Sequence, residues 1–226
     1  LLGPRIGYGK EAMPPHNLPF TMVGASLLWV GWFGFNVGSE LAADGVAGLV
    51  LVNTIAATGA AVLGWLLIES LLSGKSTMLG AATGAIAGLV AITPSCGSLG
   101  PIGSIVLGFI ASIICFWACT SLKKAFGYDD SLDVFGVHGV AGIVGAVGTG
   151  ILMSASFGGV GYGEGVTMGA QTTVQILSVL ITIVWSAIVS LILFKLVDAI
   201  IGLRPSEEDE RQGLDATSHG ESSYNL

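Results

Sequence analysis

Residues 133–153 read DVFGVHGVAGIVGAVGTGILM. Past Asp133 this run holds one ionisable side chain, His138, in twenty further residues of apolar and small character. About twenty such residues are enough to cross the hydrocarbon core of a bilayer as a helix. Glycines at 136, 139, 142, 145 and 148 recur every third position and would let neighbouring backbones approach closely. An imidazole in such a run costs free energy, so its place in a bundle needs a reason.

The rest of the chain is built the same way. Of its 226 residues 52% are hydrophobic and 10% are charged, against roughly a quarter charged in soluble domains. Apolar stretches follow one another instead of alternating with polar positions. The fold class is therefore all-α, a polytopic transmembrane helical bundle lying in a lipid bilayer. Eight basic residues and a net charge of −7 make no nucleic-acid footprint. The three cysteines, Cys96, Cys115 and Cys119, have neither CxxC nor Cys/His metal spacing, and no cofactor or metal is expected.

Six apolar segments are expected as spans, at about 18–38, 41–72, 78–93, 101–122, 133–154 and 168–202. Residues 1–17 form a loop before them and residues 203–226 a polar tail. The third segment is short and stops at Pro94, where a broken helix would leave carbonyls that must be buried or face a cavity. With six crossings, Arg5, Lys10, Lys75, Lys123, Lys124, Lys195, Arg204 and Arg211 all fall on one side. The opposite loops carry no Lys or Arg, so both ends and the tail are expected in the cytoplasm, and the protein in the cytoplasmic membrane. The opening LLG reads as the end of an earlier span, so a longer protein is expected.

Several side chains stand out within this frame. His138 either hydrogen-bonds between helices or lines a narrow passage; a neutral imidazole donates at one nitrogen and accepts at the other. Asp133 is expected to cap the helix that carries His138, with Asp130 beside it at the inner mouth. Trp32 and Phe35 share a helical face with Leu28 and Ser39. That face fits either an interfacial aromatic belt or a recruitment site for a small cation. Glu69 reads as a paired or interfacial carboxylate.

The motifs GKEAMPPHNLPF, GWFGFNVGS, AITPSCG, DVFGVHGVAGIVG, GVGYGEGVTMG and GLRPSEEDERQGLDATSHGESSYNL, in that order, resemble the later half of a bacterial ammonium transporter of the Amt/Mep/Rh family. The resemblance runs the length of the chain. It implies an eleven-span fold, of which these are spans six to eleven, and a homotrimer with a pore through each subunit. By the same resemblance His138 matches the second of two pore histidines and Phe35 one of two stacked gate phenylalanines. Trp32 and Ser39 match the outer mouth, Leu28 and Val134 the apolar lining, and Thr93 a position bordering the pore. The implied activity is transport of ammonium or ammonia, with proton loss at the outer mouth and histidine-lined conduction. The tail would dock a cytoplasmic PII signalling protein through Arg204, Gly213, His219, Gly220 and Glu221. Composition alone expects that tail to be solvated and mobile.

Alternatives on the same scaffold are an ammonium sensor, for which an appended signalling domain is expected, and an Rh-type gas channel, against which Phe35 and the tail argue. An intramembrane enzyme would need a nucleophile or metal set beside His138, and the sequence offers none, so no enzyme is expected.

Overall fold

A computed structural model describes residues 1–222 and Tyr224; Ser223, Asn225 and Leu226, at the end of the tail, lie outside the described residues. The described residues are helical with no strand, and two compact units are formed. One comprises residues 15–180, the other residues 1–14 with 181–226.

In the 15–180 unit several helices begin where a side chain takes up free N–H groups of the first turn. Helix α1, Leu18–Asn36, starts at Asn17, whose Oδ1 accepts from the Phe20 N–H at 2.9 Å. Helix α2, Gly45–Ser73, starts at Asp44 and stops at Gly74, whose φ of 78° is a left-handed conformation that suits glycine. Helix α3, Met78–Ile92, starts at Thr77. Its fifteen residues rise about 22 Å, short of a bilayer core. Helix α4, Pro101–Trp117, runs through a π-helical turn, Ala118–Leu122, into α5, Lys123–Phe126. A second π-helical turn, Phe135–Gly139, leads into α6, Val140–Leu152. Helix α7, Met168–Ile201, begins in this unit and ends in the other.

The core sits where α2, α3 and α4 meet, and small residues make it possible. Gly84 and Gly88 of α3 lie against Trp65, Ala61 and Thr58 of α2, and Gly108 of α4 lies against the Ala57 carbonyl. A third seam brings Gly145 of α6 onto the Ala91 carbonyl of α3. Ala57, Ala61, Ala91, Ala111 and Cys115 are fully buried along these seams. By contrast the apolar side chains of α1 and α7 are mostly exposed, the pattern of a protein whose solvent is lipid. Five helices are long and apolar enough to cross a membrane among the described residues: 18–40, 45–73, 101–126, 135–152 and 168–201. This is a multi-pass membrane protein.

In the other unit, helix α8, Glu207–Gln212, starts at Ser206, whose hydroxyl accepts from the Asp209 N–H. It ends at Gly213 with φ 96°, and a π-helical turn, Asp215–His219, follows.

Candidate functional site

Two groups of the singled-out side chains can be built up from the helices that hold them. The first is at the C-terminal end of α1. The rings of Trp32 and Phe35 meet edge to face, with centroids 5.5 Å apart and planes at 65°. Phe35 keeps 60% of its surface exposed, and Leu28, two turns earlier, is also exposed. Ser39, in the 3-10 turn Gly38–Glu40, donates its proton to the Phe35 carbonyl at 2.6 Å. With that proton committed, the hydroxyl oxygen offers lone pairs only. The site therefore presents aromatic faces and an acceptor, which favour a small cation carrying N–H donors.

The indole of Trp32 is held from behind. Its Nε1–H donates to Thr93 Oγ1 at 2.8 Å, and Thr93 stands at the broken end of α3. Thr93 in turn lies 2.7 Å from the Leu89 carbonyl and 3.2 Å from Asn36 Oδ1. Asn36 Nδ2 donates to Thr54 Oγ1 at 3.1 Å. The carbonyls freed beyond Pro94 are gathered by one residue of α2: Asn53 Nδ2 donates to the Cys96 carbonyl at 2.8 Å and the Leu99 carbonyl at 2.7 Å. Neither Asn36 nor Asn53 stands out as a site residue in the sequence. The available signal was a primary amide in an apolar run, which must find partners wherever it is buried.

The second group surrounds His138 in the π-helical turn Phe135–Gly139. One side of the turn is packed: Gly136 lies on Cys119, and Val137 is buried beside Cys115. The other side, with Val134, Phe135 and His138, is exposed. Among the described residues no hydrogen bond to the imidazole is present. Helix α3 packs against both α1 and the His138 turn, and so links the two groups.

At the start of that turn the two aspartates divide the work differently from the sequence expectation. Asp130, not Asp133, caps the helix: its carboxylate accepts from the N–H groups of Val134 and Phe135, both at 2.8 Å. Asp133 adopts a left-handed backbone, φ 53°, and its carboxylate pairs instead with Lys123 at 2.6 Å. Asp tolerates that conformation better than most residues, and it turns the side chain away from the free N–H groups. Glu69 is paired as well, accepting from the backbone N–H and hydroxyl of Thr77 at the start of α3.

The tail makes specific contacts within its own unit. The Arg204 guanidinium forks onto Glu210 and also donates to the carbonyls of Leu2 and Pro4, each bond at 2.9 Å. Glu210 accepts from the Ile6 N–H at 2.8 Å. That backbone bond and then Arg204 hold the Glu210 carboxyl below the usual glutamate range. Gly213 and Gly220, both at positive φ, bracket the turn that ends at His219, and the Glu221 N–H closes it on the Asp215 carbonyl at 2.9 Å.

Comparison with known proteins extends these observations. A model of the family described as Ammonium Transporter Family matches residues 1–224. The chain is 47% identical over 223 residues to an ammonium transporter of Bacillus subtilis, covering 97% of this chain and 55% of that protein. It is 47% identical over 224 residues to one of Aquifex aeolicus, covering 98% and 52%. Among solved structures it resembles a sensor Amt protein with a TM-score of 0.87 and 30% identity, over 96% of this chain and 54% of the other. Mep2 of Saccharomyces cerevisiae gives 0.74 and 31%, over 85% and 48%. The chain thus spans about half the length of the relatives it matches.

Proposed function

The chain belongs to the ammonium transporter family, and from that premise we propose that it supplies one half of a pore carrying ammonium across the cytoplasmic membrane, with deprotonation at the outer mouth. The observation that carries this reading is the Trp32–Phe35 pair beside Ser39, whose proton is already committed to the Phe35 carbonyl. Ring faces attract a cation, and the Ser39 lone pairs accept its N–H groups. Those contacts offset part of the hydration that ammonium loses on entering. Beyond Phe35 a charge would have to travel through an apolar passage, at a desolvation cost of several kcal/mol per ion. Loss of a proton, which the imidazole of His138 would take up and relay inward separately, removes that cost, because burial favours the neutral form of an amine. A neutral molecule can then pass along the Leu28, Val134 and Thr93 positions to His138, which can donate to or accept from it. Potassium has no proton to lose and is rejected by the same barrier.

The basic-residue count supports a cytoplasmic location for residues 1–17 and the tail. The sequence resemblance supports a homotrimer whose tail, through Arg204, Gly213, His219, Gly220 and Glu221, docks a PII signalling protein. A sensor built on this scaffold is the second reading, since a sensor Amt protein shares the fold with a TM-score of 0.87. Against it stands the higher identity, 47%, to proteins named as transporters.

The test is uptake of labelled methylammonium by a polypeptide of the relatives' full length that carries this chain. Trp32→Leu, which removes the π face, is expected to raise the half-saturation concentration about tenfold, the scale of one desolvated cation–π contact. An unchanged half-saturation would reduce the aromatic pair to an interfacial belt. Accumulation-independent binding with no uptake would favour the sensor.

A further inference from the structure

We infer that Asn36 is a positioning residue of the outer mouth, acting through Thr93 to fix the plane of the Trp32 indole. The inference rests on the reading of Trp32 and Phe35 as the recruitment site and adds a residue that touches neither ring face. Asn36 is the one buried residue of α1, at 4% exposure, on a helix whose other side chains are exposed or half-buried. A buried primary amide is costly unless its donors and acceptor are all engaged, so its partners define its role.

Those partners fix one another's directions. Thr54 Oγ1 is 2.7 Å from the Val50 carbonyl, which can only accept, so the Thr54 proton is committed there. Thr54 must therefore accept from Asn36, which turns Nδ2 toward Thr54 and Oδ1 toward Thr93. The indole N–H can only donate, so Thr93 Oγ1 accepts from Trp32. The single proton of Thr93 is then shared between the Leu89 carbonyl and Asn36 Oδ1, both acceptors. Every orientation in the series Val50, Thr54, Asn36, Thr93, Trp32 follows from the one before. The result is a hydroxyl lone pair held toward the indole, so that the ring has one hydrogen-bonded plane rather than a range. Cation–π attraction depends on the cation lying over the ring face, and the edge-to-face contact with Phe35 depends on the same plane.

A residue that merely ties α1 to α2 and a residue that positions Trp32 differ in what they perturb. In the full-length polypeptide carrying this chain, methylammonium uptake is measured for Asn36→Leu, Thr93→Val, the double variant, Thr93→Ser and Trp32→Leu. Asn36→Leu and Thr93→Val are each expected to raise half-saturation about fivefold to tenfold, the scale of one lost hydrogen bond. In Asn36→Leu the maximal rate should change less than about twofold, because Asn36 touches neither ring face nor the passage. The double variant should match the worse single, since both break one linkage. Thr93→Ser, which keeps the hydroxyl, should restore near-normal half-saturation. Should Asn36→Leu fail to reach the membrane, Thr54→Val leaves Asn36 in place but removes its anchor, and about a threefold rise is expected. Normal half-saturation in Asn36→Leu or Thr54→Val while Trp32→Leu is impaired overturns the inference and leaves the recruitment site standing. Multiplying effects in the double variant overturn it too. A normal Trp32→Leu removes the recruitment site itself.

Discussion

Asn53 shows at the scale of one residue how the broken third helix is tolerated. It is fully buried in α2, and its two N–H bonds reach the carbonyls of Cys96 and Leu99, in the loop that follows the end of α3. Pro94 ends the helix, and a membrane protein cannot leave the freed carbonyls to lipid. Asn53→Leu keeps the volume and removes both donors. It is expected to destabilise the protein by about 2–4 kcal/mol, as two buried acceptors lose their partners. Thermal unfolding in detergent checks this; an unchanged midpoint would mean that water or other donors serve those carbonyls. The sequence made the break at Thr93–Pro94 legible but not its remedy, because the remedy comes from forty residues upstream. Asp130 and Asp133 teach the same lesson at short range. Composition identified two carboxylates before a helix, while the choice between them is made by the positive φ of Asp133 and the pull of Lys123.

At the scale of elements, apolar length was enough to identify helices, while of the every-third glycine row only Gly136, Gly145 and Gly148 meet another segment; Gly139 meets only Phe135 of its own turn, and Gly142 meets nothing within 4 Å. The row of Gly84 and Gly88 lies on α2, and Gly145 and Gly136 find backbone or sulfur at contact distance. The π-helical turns at 118–122 and 135–139 left no trace in the apolar pattern. Such turns insert a residue into the hydrogen-bond ladder and depend on which neighbour is accommodated. Here Gly136 in one faces Cys119 in the other. The tightest seam is between α2 and α4, where a Cβ on Gly108 would run into the Ala57 carbonyl. Backbone on both sides cannot move aside as a side chain would. Gly108→Val is therefore expected to destabilise the bundle by at least about 1–3 kcal/mol, the usual scale of overpacking. Reduced yield of folded protein and a lower unfolding midpoint in detergent would register it; a midpoint equal to the parent would mean the helices separate without penalty.

For the molecule as a whole, the sequence conveyed the class of protein and the family, while the pore could not be read to completion from this chain. Trp32, Phe35, Ser39 and Thr93 come together in one cluster within the 15–180 unit. His138, by contrast, lies on a face that the described residues leave uncovered. The proposed lumen needs walls on every side, and this chain spans about half the length of its relatives. The tail illustrates a similar limit, since Arg204 finds its partners in residues 1–6, about 200 positions away in sequence. The central claim is that the His138 imidazole lines the path of a molecule that has given up its charge. The most direct measurement is the ammonium-elicited current of His138→Ala in the full-length polypeptide, with trimer assembly followed in parallel. A fall of at least about tenfold with assembly intact is the expected result, because an apolar passage would lose a donor and acceptor at that depth. An undiminished current from a correctly assembled protein would contradict the account.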